Sequence, residues 1–158
     1  MSQITKTMNF AHLVAPIDAN NATKTTDELS FENYKHITFL VAFGAIGAAD
    51  AVITIEKCTD AAGGSNTAIA FNYRVSGVGA TEDTLGTLTA VASTGLTVAN
   101  ATDDGKLFII EIDDHECGYA YPFVRCIVAP GAVATLVAVI GICSEPRYSS
   151  GVMTSAII

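Results

Sequence analysis

The densest group of side chains able to do chemistry is Asp113-Asp114-His115-Glu116-Cys117. Carboxylate, imidazole and thiolate are all metal ligands. Adjacent residues do not readily converge on one ion, however, and no Asp-x-Asp-x-Asp spacing accompanies them. A solvated turn after a strand accounts for the run, and Asp103-Asp104 reads likewise as a turn pair. No metal site is expected. A Cys–His nucleophile needs one thiol beside one imidazole. His12, His36 and His115 supply imidazoles, and Cys117 is the cysteine outside a clear strand. With three His and four Cys in the chain, a chance pairing would mean little. Paired acids for glycoside hydrolysis remain open, but Trp is absent and no aromatic-rich sugar cleft is suggested. Neither G-x-x-x-x-G-K-[ST] nor G-x-S-x-G occurs, and Gly77-Val-Gly79 lacks the third glycine of a dinucleotide loop. The sequence therefore nominates no catalytic residue, no cofactor and no metal ligand, and a non-enzymatic protein is expected.

Charge narrows the partners. Eight Lys and Arg against sixteen Asp and Glu leave a net charge of −8. Nucleic-acid binding is led by cations that neutralise phosphates, and here Lys6, Lys24, Lys35, Lys57, Arg74, Lys106, Arg125 and Arg147 are scattered. Neither nucleic acid nor an anionic membrane is an expected partner. Charged residues make up only 15% of the chain, below the roughly 25% of soluble domains, which hints at surface covered by other protein. The N-terminal stretch has no basic region followed by a long apolar run, so synthesis and folding in a cytoplasm are expected. There Cys58, Cys117, Cys126 and Cys143 would stay reduced and serve as small core residues.

The elements that must hold these side chains read as strands. Ile37, Phe39, Val41 and Phe43 fall on one face of an extended segment, as do Ile69, Phe71, Tyr73 and Val75, the period-2 signature of a strand. Ala51–Cys58 forms a hairpin with Thr67–Val75 across the Gly-rich turn 60–66. A weak strand is read at Ala11–Ile17, and 20–32 as a long polar loop. Short strands are read near Leu85–Val91 and Leu96–Ala99. Lys106–Ile112, apolar on both faces, should be central. Asp113–Tyr119 holds at most a helical turn, and Tyr121–Ala129 and Ala134–Cys143 are two further strands joined through Pro130-Gly131. No window shows a sustained helical stripe. The expected fold is all-β: one β-sandwich domain over 1–158, jelly-roll-like, of about eight strands. Ile37, Phe39, Val41, Ile69, Phe71, Tyr73, Phe108 and Ile110 should share its core. Extended segments at 1–10 and 144–158 carry Met8, Phe10, Tyr148, Val152, Met153, Ile157 and Ile158, apolar ends expected to pack on a neighbouring subunit or shell.

Four short stretches carry a resemblance. They are Val14-Ala-Pro16-Ile17, the segment Asn33 to Phe39, Ala68-Ile-Ala-Phe71 after its Gly-rich turn, and the closing Ser144-Glu-Pro-Arg-Tyr148. In these and in its order of strands the chain resembles small virion proteins of tailed bacteriophages, most of all head decoration, or cement, proteins. The resemblance implies a β-sandwich subunit, often a homotrimer, that sits on the capsid surface with the major capsid protein as partner. It carries no catalytic residues. The other reading is a carbohydrate- or receptor-binding β-sandwich module of a phage tail or fibre.

Overall fold

The computed structural model describes residues 4–131, 134–148 and 155–157. Val152, Met153 and Ile158, three of the apolar terminal residues, lie outside them. The described residues form an all-β sandwich of twelve strands in two antiparallel sheets. The strands are β1 (Asn9–Asp18), β2 (Lys24–Thr25), β3 (Leu29–Ser30), β4 (Tyr34–Ile46), β5 (Ala51–Cys58), β6 (Thr67–Ile69), β7 (Phe71–Val75), β8 (Thr89–Val91), β9 (Leu96–Val98), β10 (Leu107–Asp113), β11 (Phe123–Ala129) and β12 (Thr135–Pro146). A single helical turn, α1 (Asp114–Cys117), follows β10. No helix among the described residues is long and apolar enough to cross a membrane.

The first sheet runs β1-β12-β4-β10-β7-β8, and the second runs β2-β11-β5-β6 with β3 also on β11 and β9 also on β5. β2 and β3 lie along one edge of β11, and β6 and β9 along one edge of β5. Each pair therefore fills one strand position. Eight positions result, ordered 1-8-3-6 in one sheet and 2-7-4-5 in the other. This is the strand order of a jelly roll, two Greek keys folded face to face. The β7–β8 hairpin is an excursion between the two halves of the fifth position, and it widens the first sheet beyond β10.

Burial follows the pleat. In β4, Ile37, Phe39, Val41 and Phe43 face inward, and in β10 Phe108, Ile110 and Ile112 do. Ile69 and Phe71 are buried with them, and Tyr73 packs half-buried at the margin. The second sheet adds Ile53, Ile55, Val124, Cys126 and Val128.

The structure departs from the sequence reading in three places. Thr67–Val75 is two strands, with β6 pairing β5 in one sheet and β7 pairing β10 in the other. The chain changes sheets at Ala70, as strands do at sandwich corners. The polar loop 20–32 contains β2 and β3, each two residues long. At the ends, β1 takes in residues 9 and 10 and β12 extends to Pro146. Beyond it, Ala156 folds back, buried in the core with its carbonyl accepting the Ser30 N–H at 2.9 Å.

Candidate functional site

The Asp113–Cys117 run closes one helical turn, and each residue takes a separate direction. Asp113 is the N-cap of α1, in a capping box in which the Glu116 carboxylate accepts the Asp113 N–H at 2.8 Å. The Asp113 carboxylate also meets His36 Nδ1 at 2.8 Å. Asp114 pairs with Arg147. Cys117 is buried and His115 is exposed. The geometry thus spreads the ligand-type side chains apart. Among the described residues no group of three or more His, Cys, Asp or Glu is placed to hold a metal ion.

The thiols are chemically quiet. Burial pushes Cys117, Cys126 and Cys143 up to about 12, and Cys58 up to about 11. For Cys58 the nearby Arg125 pulls the other way, and for Cys117 Lys57 does. A thiol held protonated at neutral pH is a poor nucleophile and a poor metal ligand. All four are unpaired and buried.

Two surfaces stand out instead. The first is a cleft of about 380 Å³ at the end of the sandwich where β4 begins and β10 and β12 finish. Phe31, Tyr119 and Tyr121 supply aromatic walls, and Glu32, Asp114, His115 and Arg147 supply polar ones. Its frame is held by backbone. Phe31 N–H donates to the Pro122 carbonyl and Arg147 N–H to the Asn33 carbonyl, both at 2.8 Å. Arg147 Nε donates to the Phe31 carbonyl at 2.8 Å, and its Nη2 pairs with Asp114. Behind the wall, Lys57 Nζ lies 4.3 Å from the centre of the Tyr121 ring and donates to the Cys117 carbonyl. Tyr119, on the turn that follows Gly118, is fully exposed. The absence of Trp argued against an aromatic cleft, and here two tyrosines and a phenylalanine make one. The signal was present in Tyr119-Ala-Tyr121, two aromatics in a turn with no strand pattern to bury them. Their meeting with Phe31 and Arg147 depends on tertiary structure alone.

The second surface is the outer face of the first sheet. Alternation along β12 points Leu136, Ala138, Ile140 and Ile142 away from the core. Register places Ile140 beside His12 on one side and Leu40 on the other, and Leu40 beside Ile109. Phe10 stands beside Ile142. Leu136, Ile140 and Phe10 are 47%, 39% and 44% exposed. One-sided antiparallel sheets ordinarily turn polar residues to water. Across β12, β4 and β10 the centre of this face is aliphatic.

No family model matches the chain, and no curated protein matches it. Among solved structures, chains from infectious bursal disease virus, Gt strain and Gx strain, are similar to it at 14% and 12% identity, with TM-scores of 0.23 and 0.21. Each match covers 89% of this chain and 42% of the other, so the chain spans less than half the length of the chains it matches. Likeness at that level carries no argument about this chain.

Proposed function

We propose that the protein is a non-catalytic structural component of a tailed-phage virion, a decoration or cement protein that binds the assembled capsid through the outer face of its first sheet. The observation that carries this reading is the aliphatic row Ile140–Leu40–Ile109, flanked by Leu136 and Phe10, in which Leu136, Ile140 and Phe10 are exposed and Leu40 and Ile109 half-buried. Contiguous exposed apolar surface of this kind marks an association site on a soluble domain. A chain with a net charge of −8 gains little from contact with nucleic acid, and its low charge content suits surface that ends between subunits. The working form would be a homotrimer seated on the major capsid protein, made in the bacterial cytoplasm and found on the capsid surface. It would act by mass action: a protein that binds the closed lattice and not its dissociated parts stabilises the lattice.

The test is co-sedimentation of the full-length chain with undecorated capsids of its phage, with light scattering on the free protein. Saturable binding that raises the temperature at which the capsids open is the expected result. A chain that stays monomeric and ignores the capsids rejects the reading.

A further inference from the structure

The end cleft is a separate surface from the sheet face, and its chemistry selects a different kind of ligand. Its charges balance in one pair and leave one carboxylate over. Asp114 is neutralised by Arg147, while Glu32 is exposed and its carboxylate makes no hydrogen bond or ion pair among the described residues. The Arg147 guanidinium keeps Nη1 for a ligand after Nε and Nη2 are used. A cation would meet Arg147 at the wall, and an anion would meet Glu32 and Asp114. A neutral molecule rich in hydroxyls suits both, because each hydroxyl can donate to a carboxylate and accept from a guanidinium. The aromatic part adds a shape requirement. Tyr119 presents a whole ring to solvent beside the half-buried Tyr121. The negative π face of such a ring favours partners that present polarised C–H groups, as the flat face of a pyranose does. At about 380 Å³ the cleft is at the small end of ligand sites, the scale of one or two sugar units.

We propose that this cleft is a binding site for a neutral saccharide, stacked on Tyr119, with Glu32 accepting from its hydroxyls and Arg147 donating to them. The site is independent of the capsid-binding reading and stands or falls without it. Tyr119 anchors the sugar ring, and Tyr121, with Lys57 against it, forms the fixed back wall.

The chain lacks Trp, so its intrinsic emission comes from five tyrosines and reports directly on such a ligand. Maltose, lactose, cellobiose and chitobiose at millimolar concentration, with choline and inorganic phosphate alongside, are the probes, read by saturation-transfer NMR and tyrosine fluorescence. At least one disaccharide should bind, with choline and phosphate silent. Tyr119→Ala should weaken that binding by about tenfold, Tyr119→Phe should retain most of it, and Glu32→Gln should weaken it without removing it. Both side chains are exposed, so the melting temperature should not move in any of the three. Absence of binding by all four disaccharides overturns the proposal. So does binding that survives both Tyr119→Ala and Glu32→Gln, or choline or phosphate binding in place of a sugar.

Discussion

At the level of single residues, desolvation is the force that decides what the cysteines can do. Each thiol sits in the core or against it, and each is pushed above its ordinary value, three of them to about 12. Linkage gives this a direction. Between the unfolded value and the raised folded one, the unfolded chain has lost protons that the folded chain keeps. The stability that the neutral thiols contribute is therefore whole below pH 9 and falls as pH climbs toward 12, by about 1.4 kcal/mol per pH unit per thiol. Urea unfolding at pH 8 and pH 10 should show the decline, and Cys126→Ala should make it shallower by about one proton's worth. Equal slopes in the two proteins would show that Cys126 does not titrate this way. The same dry interior holds Phe108, edge-on to Phe43 with ring centres 5.8 Å apart and tilted over Tyr73 at 6.0 Å. It is 2% exposed. Phe108→Ala should cost about 3–5 kcal/mol, through lost burial, a cavity and two lost ring contacts. A loss below about 1 kcal/mol would mean that the site collapses around the gap.

Between residues and the whole lies the way one element holds another, and the β5–β6 turn shows it. Asp60 accepts from the Ala62 and Gly64 N–H groups at 2.9 and 3.0 Å, and these bonds hold its carboxyl below the usual range. The turn brings Gly63 to φ +72, where a side chain is strained. It also lays Gly63 against Arg125, which ties β11 to Glu56 of β5 at 2.8 and 2.9 Å and to Glu28 at 3.0 Å. A Cβ at Gly63 would run into the Arg125 guanidinium. Gly63→Ala should thus cost more than the roughly 1–2 kcal/mol of the backbone strain alone, and Arg125→Ala should cost on the order of 3 kcal/mol by stranding two carboxylates. Combined, the two should cost less than their sum, because each damages the same network. Additive losses in chemical unfolding would disprove that coupling. Periodicity made the strongest of these elements legible beforehand: β4, β5, β10 and the hairpin onto β6 follow from alternation and a Gly-rich turn. It was blind to the switch at Ala70, because Ile69 and Phe71 face the same core on either side of it. Two-residue strands such as β2 and β3 leave no period to read. The cleft was illegible for a related reason. Phe31, Tyr119 and Arg147 come from three separate segments, and only the closure of the sandwich brings them to one end.

For the molecule as a whole, the question is which part of its surface is meant to be covered. The terminal segments were one answer, but Ala156 is already buried against its own sandwich, so part of the C-terminal stretch is engaged within the subunit. The outer face of the first sheet is the stronger answer, since Leu136, Ile140 and Phe10 expose aliphatic and aromatic area with no local reason to do so. It also adjoins β1, the strand at one end of the first sheet's order, and edge strands carry unpaired backbone groups that invite another chain. A pair of charges separates the assembly reading from accident. Leu136→Lys with Ile140→Lys places two ammonium groups on the face while leaving the inward residues Val137 and Val139 untouched. Fold stability should change little, within about 0.5 kcal/mol per exposed site, because neither side chain belongs to the core. Capsid binding should fail: the variant should no longer sediment with capsids, while light scattering should give it the same mass as the parent. His12→Lys, on the same face but at its polar margin, should be tolerated far better, because it buries no aliphatic area. A double variant that still binds the capsids would move the interface off this sheet, and one that keeps its fold but loses the parent's mass would assign the face to contacts between subunits instead.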